Sequence, residues 1–373
     1  MATASRLGVA ALLLFVQGEF FFTLRIQTKE DFSMANKLAK DDFFKIDVEC
    51  HIIGDQEQIN HYPGVQMWWK GVQGVTRALW KVGTPPEIDA VSEPREFTKQ
   101  YGPEVLIEYM DKYGVDIACL LPEAMMETTG YSNRWSTNVD AQRWADAYPD
   151  RFLVQPNISP IKFRGIKNAI FDLEYWTKEK GAKVFKFYPP EDTYINDPDI
   201  WPVYAKAEEL GIVLDIHTGF SYVPPGKSKY ALPVQIDDVA RDFPGLRINC
   251  FHMGYPYCDD LNMVAMAHPN VYVSLSLLVP WALNAPRKFA KMLGEALRFV
   301  GPDRITWGTD YVGIGIQYNY AVQGLRNFQF PEDMQKDYGY PALTDEIKAK
   351  IFGGNMAKLL GIDASKRRVK IKK

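Results

Sequence analysis

The sequence is poor in the residues that most often carry redox or structural-metal chemistry. Its 373 residues include only 4 Cys and 5 His. The cysteines, Cys50, Cys119, Cys250 and Cys258, form no CxxC pair. That excludes a zinc ribbon and a thioredoxin-like site. Four cysteines in so long a chain do not make a disulfide framework, so a reduced, cytoplasmic setting is expected. An excess of charge is missing too: 43 Lys and Arg against 46 Asp and Glu leave a net charge of −3. A nucleic-acid partner would favour a basic surface and is not expected. No GxGxxG follows the first strand-like run, which removes the usual dinucleotide-binding sheet. No apolar run is long enough to span a bilayer, so no membrane partner is expected. Internal repeats and low-complexity tracts are absent.

Apolar material, by contrast, is plentiful. Hydrophobic residues make up 47% and aromatic residues 13% of the chain. That is enough for a large core, and the aromatics fit either that core or a pocket for a flat ligand. At the N-terminus, Arg6 followed by Gly8-Val9-Ala10-Ala11-Leu12-Leu13-Leu14 resembles the start of a signal peptide, but no small-x-small site follows. Met34 offers an alternative start. Residues 1–42 are expected to be a leader or disordered extension, 43–363 the folded domain and 364–373 a basic, frayed tail.

From residue 45 onward, short apolar runs alternate with amphipathic segments. Eight runs read as strands: Lys45–Cys50, Val115–Leu121, Phe152–Asn157, Ala182–Phe187, Ile212–Ile216, Arg247–Phe251, Val271–Leu275 and Arg304–Trp307. Most are near-continuously apolar, as in parallel strands covered on both faces. Between them, Ile166, Ala169, Ile170, Leu173 and Trp176 keep the spacing of one buried helix face. Pro103 and Asp197-Pro198 open further helices. This alternation predicts an α/β protein with a (β/α)8 TIM barrel; a doubly wound open sheet is the rival.

Two segments exceed the barrel minimum. The stretch after strand one, to about Pro103, carries His61, Trp68 and Trp69 and is expected to be a lid over the mouth. The stretch Gly313–Leu343 is expected to wrap the mouth or to serve a subunit contact. The residues Ile347 to Gly361 read as a C-terminal helical extension of two short helices joined at Gly353-Gly354, with Asn355 as a cap.

Three of the five histidines directly follow strand-like runs: His51, His217 and His252. Asp310 follows the eighth run after Gly308-Thr309. In a barrel all four lie at the C-terminal mouth, where active sites are built. Glu49 and His51 are two apart and share a strand face. An inward carboxylate beside an inward imidazole is costly in an apolar interior unless compensated. One divalent ion, Zn or Mn, bound by Glu49, His51, His217 and Asp310 would compensate it. The plainer alternative is four unrelated, locally bonded polar groups. His252 is a candidate for proton transfer. Lys186, ending strand four, could hold a substrate carboxylate, carry a metal as a carbamate, or simply pair with an acid. Tyr255 could line the pocket, with Trp68 and Trp69 closing it from the lid. His268, in Ala267-His268-Pro269-Asn270, reads as a turn residue.

These stretches, taken in order, resemble the amidohydrolase superfamily. The resemblance rests on Ile46-Asp47-Val48-Glu49-Cys50-His51, Lys183-Val184-Phe185-Lys186-Phe187-Tyr188-Pro189, Asp215-Ile216-His217-Thr218-Gly219, Phe251-His252-Met253-Gly254, Trp307-Gly308-Thr309-Asp310 and Phe352-Gly353-Gly354-Asn355. The branch it resembles holds aminocarboxymuconate-semialdehyde, resorcylate and carboxyvanillate decarboxylases. The resemblance implies one catalytic metal on Glu49, His51, His217 and Asp310, with His252 and Asp310 catalytic. It implies metal-dependent, non-oxidative decarboxylation of a hydroxylated aromatic acid, or hydrolysis of a lactone or amide by metal-activated water. It also implies a homodimer or homotetramer. Glu-x-His on strand one resembles the aromatic-acid decarboxylases. Those commonly carry a glutamate three residues after the strand-six histidine, where this chain has Tyr255.

Overall fold

Each strand-like run of the sequence forms a strand. In the computed structural model these are β1 (Ile46–Ile52), β2 (Ile117–Pro122), β3 (Phe152–Val154), β4 (Val184–Phe187), β5 (Val213–His217), β6 (Arg247–Phe251), β7 (Val271–Ser274) and β8 (Ile305–Thr306). The structure describes residues 43–52, 63–67, 70–71, 102–122, 125, 136–221, 225–310 and 316–365. The strands pair in parallel and in chain order, as β1-β2-β3 and β4-β5-β6-β7-β8. Backbone hydrogen bonds bridge both seams. Lys186 N donates to Pro156 O and Ile158 N to Lys186 O between β3 and β4, and Val48 N donates to Trp307 O between β8 and β1.

A crossover helix follows each strand: α1 (Pro103–Tyr113), α2 (Asn138–Ala147), α3 (Ile166–Lys178), α4 (Trp201–Glu209), α5 (Gln235–Asp242), α6 (Cys258–Ala267), α7 (Pro286–Phe299) and α8 (Ile316–Asn327). Alternation of a parallel strand with a crossover helix, eight times, is the (β/α)8 barrel. The helices begin where local chemistry lets them. Thr137 and Asp140 form a reciprocal capping box at α2, and proline opens α1 and α7. Asp197 caps a short 3-10 turn whose first residue is Pro198, and α4 continues from it. α3 buries Ala169, Leu173 and Trp176, as its spacing predicts. Most of the apolar core lies between strands and helices, where Phe185, Leu214, Ile216, Ile248 and Val273 meet Leu106, Leu173, Val203, Val239 and Leu293.

β1 departs from simple alternation. Its pairing with β2 shifts register between Asp47 and Cys50, so β1 carries one more residue than β2 there. Ile46 and Val48 pack with Ile117, Cys119, Val184 and Val213, whereas Cys50 and Ile52 join the outer core. The bulge thereby switches the inward phase from 46 and 48 to 49 and 51. Such bulges re-aim side chains, and here they bring Glu49 and His51 inward.

One sequence expectation changes at the C-terminal end. The stretch Gly313–Leu343 holds the eighth barrel helix, α8, and then α9 (Glu332–Tyr338). Ala321, Val322 and Leu325 of α8 are buried. Asn355 is not a cap. The helix α10 (Asp345–Ala349) runs through a π-helical turn, Lys350–Gly354, into α11 (Asn355–Leu360), and Asn355 itself is helical. Its amide donates to Pro302 O and Ile305 O at the start of β8. Gly353 is required there: a Cβ would lie 2.5 Å from Phe44 O. His61, Trp68 and Trp69, and most of the tail 364–373, lie outside the described residues.

Candidate metal centre

The strand ends converge on one rim, and the loops that leave them are tightly fixed. Gly219, at φ +95°, follows His217 and Thr218; a Cβ there would lie 2.3 Å from Tyr255 O. The β5 and β6 loops can touch only because that position has no side chain. His252 and Asp310, the two expected catalytic residues, have φ of 59° and 56°. Left-handed backbone at non-glycine residues costs about 1 kcal/mol or more each and clusters at functional sites.

Three of the four expected ligands meet. His51 Nε2 lies 2.9 Å from Asp310 Oδ1 and 3.6 Å from Glu49 Oε1, and one donor atom from each of the three lies within 4.8 Å of the others. That spacing suits a shared ion with ligand distances of about 2.0–2.2 Å. His217 stands beside this group, with its Nδ1 3.1 Å from His252 Nε2. His252 Nδ1 in turn lies 3.7 Å from Glu49 Oε2 and 3.3 Å from Ser276 Oγ. Glu49 Oε2 and His217 Nε2 are buried without a hydrogen-bond partner among the described residues. Such orphaned atoms cost about 1–3 kcal/mol each; an ion shared by Glu49, His51 and Asp310 would relieve that cost at the carboxylate, while His217 lies outside this three-residue group. The donor set of two imidazoles and two carboxylates fits Zn²⁺ or Mn²⁺.

Lys186 takes the plainest of its three expected roles. Its Nζ lies 2.9 Å from Glu49 Oε1 and 3.7 Å above the Phe251 ring. Burial alone would raise the Glu49 carboxyl. Lys186 and then His252 and His51 outweigh burial and hold it well below the ordinary carboxylate range. His217 is held well below its ordinary value by burial first, then by the neighbouring His252 and Lys186 charges. It is therefore neutral and competent as a ligand.

Below the rim the barrel interior is polar. Asp215 accepts from Gln155 Nε2 and Asn249 Nδ2, and Asn249 Oδ1 accepts from Thr306. Burial pushes the Asp215 carboxyl well above its ordinary value, against the pull of Asn249 and Lys186. Asp47 clamps β1 to the loop before Asp310: Oδ1 accepts from Thr309 N at 2.8 Å and Oδ2 from Thr309 Oγ1 at 2.6 Å. Glu49 N also donates to Asp47, at 3.2 Å. Asp47, Ser276, Asn249 and Gln155 are the supporting residues that sequence reasoning missed. Only Asp47 carried a signal, as a second carboxylate two residues before Glu49.

Tyr255 is half-buried on the rim and packs edge-on against Trp281, with ring centroids 4.9 Å apart. His268 lies on the turn into β7, paired with Asp237 at 2.8 Å, away from the mouth. No helix among the described residues is long and apolar enough to cross a membrane.

A family model described as amidohydrolase matches residues 94–362. Several solved structures share the fold. A 5-carboxyvanillate decarboxylase from Sphingomonas paucimobilis is 19% identical with a TM-score of 0.55, over 86% of this chain and 100% of that one. A dihydroxybenzoic acid decarboxylase from a Polaromonas species, with manganese and 2-nitroresorcinol bound, is 14% identical with a TM-score of 0.53, over 86% and 97%. A probable 2-pyrone-4,6-dicarboxylic acid hydrolase from Acinetobacter baumannii, with citric acid bound, is 12% identical with a TM-score of 0.53, over 85% and 99%.

Proposed function

The chain belongs to the amidohydrolase family, and from that premise we propose that it is a metal-dependent decarboxylase of a hydroxylated aromatic acid. The observation that carries the reading is the cluster of Glu49, His51 and Asp310 with His252 against Glu49. A glutamate on the first strand, paired with a buried lysine, distinguishes this site from one built on two histidines. The aromatic-acid decarboxylases and the manganese-bound structure above support the same reading.

Glu49, His51, His217 and Asp310 are the ligands in this reading, and Zn²⁺ or Mn²⁺ held there supplies a Lewis acid that orients the acid and stabilises its charge. The chain's own groups do the rest. Asp310 or His252 delivers a proton to the ring carbon that bears the carboxylate. A C–H bond forms there and the ring loses its aromaticity. The C–C bond then breaks, its electron pair returns to the ring, and CO2 leaves. Lys186 keeps Glu49 ionised throughout, and Asp47 holds the β8 loop so that Asp310 faces His51. Trp68, Trp69 and Tyr255 are the residues we assign to the ring's surroundings.

Hydrolysis of a lactone or amide is the second reading. Tyr255 favours it, standing where aromatic-acid decarboxylases commonly carry a glutamate. In it Asp310 accepts a proton from the attacking water and His252 stabilises the oxyanion. Metal-loaded protein, a panel of hydroxybenzoic acids and the His252→Ala variant as control separate the two. Release of CO2 that needs both metal and His252 supports the first. No release from any acid, with the metal shown to be bound, moves the assignment to hydrolysis.

A further inference from the structure

A neutral imidazole carries one proton, and its neighbours decide which nitrogen holds it. Around His252 Nδ1 those neighbours are acceptors. The Ser276 carbonyl oxygen lies 3.4 Å away and Glu49 Oε2 3.7 Å away, and neither has a proton to give. Ser276 Oγ, at 3.3 Å, can accept or donate. A bare Nδ1 would set its lone pair against those of the carbonyl and the carboxylate. The proton of His252 therefore belongs on Nδ1, which leaves Nε2 bare.

His252 Nε2 faces His217 Nδ1 at 3.1 Å. One of the two must donate, so the proton of His217 belongs on its Nδ1. His217 is then bare at Nε2, the atom that is buried without a hydrogen-bond partner. The opposite tautomer would bury an N–H with no acceptor and set two lone pairs face to face. The rings are also held in place. Tyr188 packs edge-on against His217, with centroids 5.1 Å apart, and His252 is buried. His252 and Met253 on one loop, and Leu277 next to Ser276 on the other, have φ of 59°, 50° and 70°. They are three of the four non-glycine residues with positive φ among the described residues. Backbone strain on both sides of the contact marks a geometry that the fold maintains at a cost.

We propose that His252 is a positioning residue for His217: it accepts the Nδ1–H of that imidazole and so holds it in the tautomer whose Nε2 can coordinate. Histidines that bind a metal almost always donate their other ring N–H to such a partner. That Nε2 meets an ion rests on the function proposed above. The tautomer does not, and it is read without metal or turnover. The test is long-range proton–nitrogen correlation NMR of full-length, metal-free protein carrying isotope-labelled histidine. It is run at pH 8, above the ordinary imidazole value of about 6.5. His217→Asn and His252→Asn assign the two sets of signals.

In wild type both rings are expected to be protonated at Nδ1 alone. Zn²⁺, which is diamagnetic, should then shift the Nε2 signal of His217 and leave its Nδ1–H in place. His252→Phe removes the acceptor. His217 should become a mixture of tautomers, and Zn²⁺ affinity, read by competition with a chelator, should fall by about tenfold to a hundredfold. His252→Gln, whose amide oxygen can accept in place of Nε2, should restore both. Melting temperatures show which variants fold, and if His252→Phe does not, the wild-type spectrum still decides. His217 protonated at Nε2 in wild type, a mixture there, or an unchanged tautomer or Zn²⁺ affinity in folded His252→Phe would overturn the proposal. The expected tautomers in a protein that releases no CO2 from any acid would keep the positioning role and remove the decarboxylase. CO2 release by a protein with His217 protonated at Nε2 would do the reverse.

Discussion

Lys186 and Glu49 form an ion pair of 2.9 Å inside the barrel, with side chains only 3% and 1% exposed. Neither charge could be buried alone. Removing one partner of such a pair costs about 3–5 kcal/mol, because the other charge is left uncompensated. Lys186→Met is therefore expected to lower the melting temperature sharply in metal-free protein. A divalent ion on Glu49 replaces the lost cation, so the variant should recover most of its stability when loaded with Mn²⁺. Melts with and without metal test this; an equal loss in both states would mean that Glu49 does not meet the ion.

Asp47 is not one of the proposed ligands but fixes two residues that are. Its carboxylate holds Thr309 beside Asp310 and the backbone of Glu49. Supporting partners of this kind typically contribute tenfold to a hundredfold in metal affinity. Asp47→Ala should weaken Mn²⁺ binding by about that factor. Competition titration with a chelator reads it directly, and unchanged affinity would reduce Asp47 to a structural tie.

The His217 imidazole is held well below its ordinary value of about 6.5 by burial and by the His252 and Lys186 charges. The unfolded chain takes up a proton that the folded one refuses, so stability falls as pH drops below about 6.5. Asp215 acts in the opposite sense, because burial raises its carboxyl and the folded protein keeps that proton. The comparison that isolates His217 is wild type against His217→Asn, both metal-free. Stability of wild type relative to the variant should decline from pH 7 to pH 5. Parallel curves would place the histidine in contact with water.

Cys50, Cys119, Cys250 and Cys258 are all buried, and none forms a disulfide. Burial pushes the Cys119 and Cys250 thiols far above their ordinary value and Cys258 to about 12. Thiolate is the reactive form. Native protein should therefore react negligibly with a disulfide reagent at pH 8, and denatured protein should release four equivalents. Rapid labelling of the native state would show that one of these positions opens.

Much of this was legible in the residues. All eight strands were, because parallel strands buried on both faces read as apolar runs. Glu49, His51 and Asp310 were, because polar residues at the ends of such runs have few other places to be. The bulge in β1 was not. Ile46-Asp47-Val48-Glu49 alternates smoothly, and only pairing with β2 reveals the extra residue. Asn355 misled because asparagine before a helix ordinarily caps it, whereas here a π-turn carries the helix through and frees the amide for β8. Lys186 left three roles open until Glu49 was seen beside it.

In the proposed reaction this rim protonates a ring carbon and expels CO2. The most direct measurement is turnover of a carboxyl-labelled hydroxybenzoic acid by manganese-loaded protein in D2O, followed by NMR. Labelled CO2 is expected together with one deuterium at the carbon that bore the carboxylate, and both signals should be lost in Asp310→Asn. Recovery of the acid intact across the panel, alongside metal-dependent opening of a lactone or amide by the same protein, would contradict it.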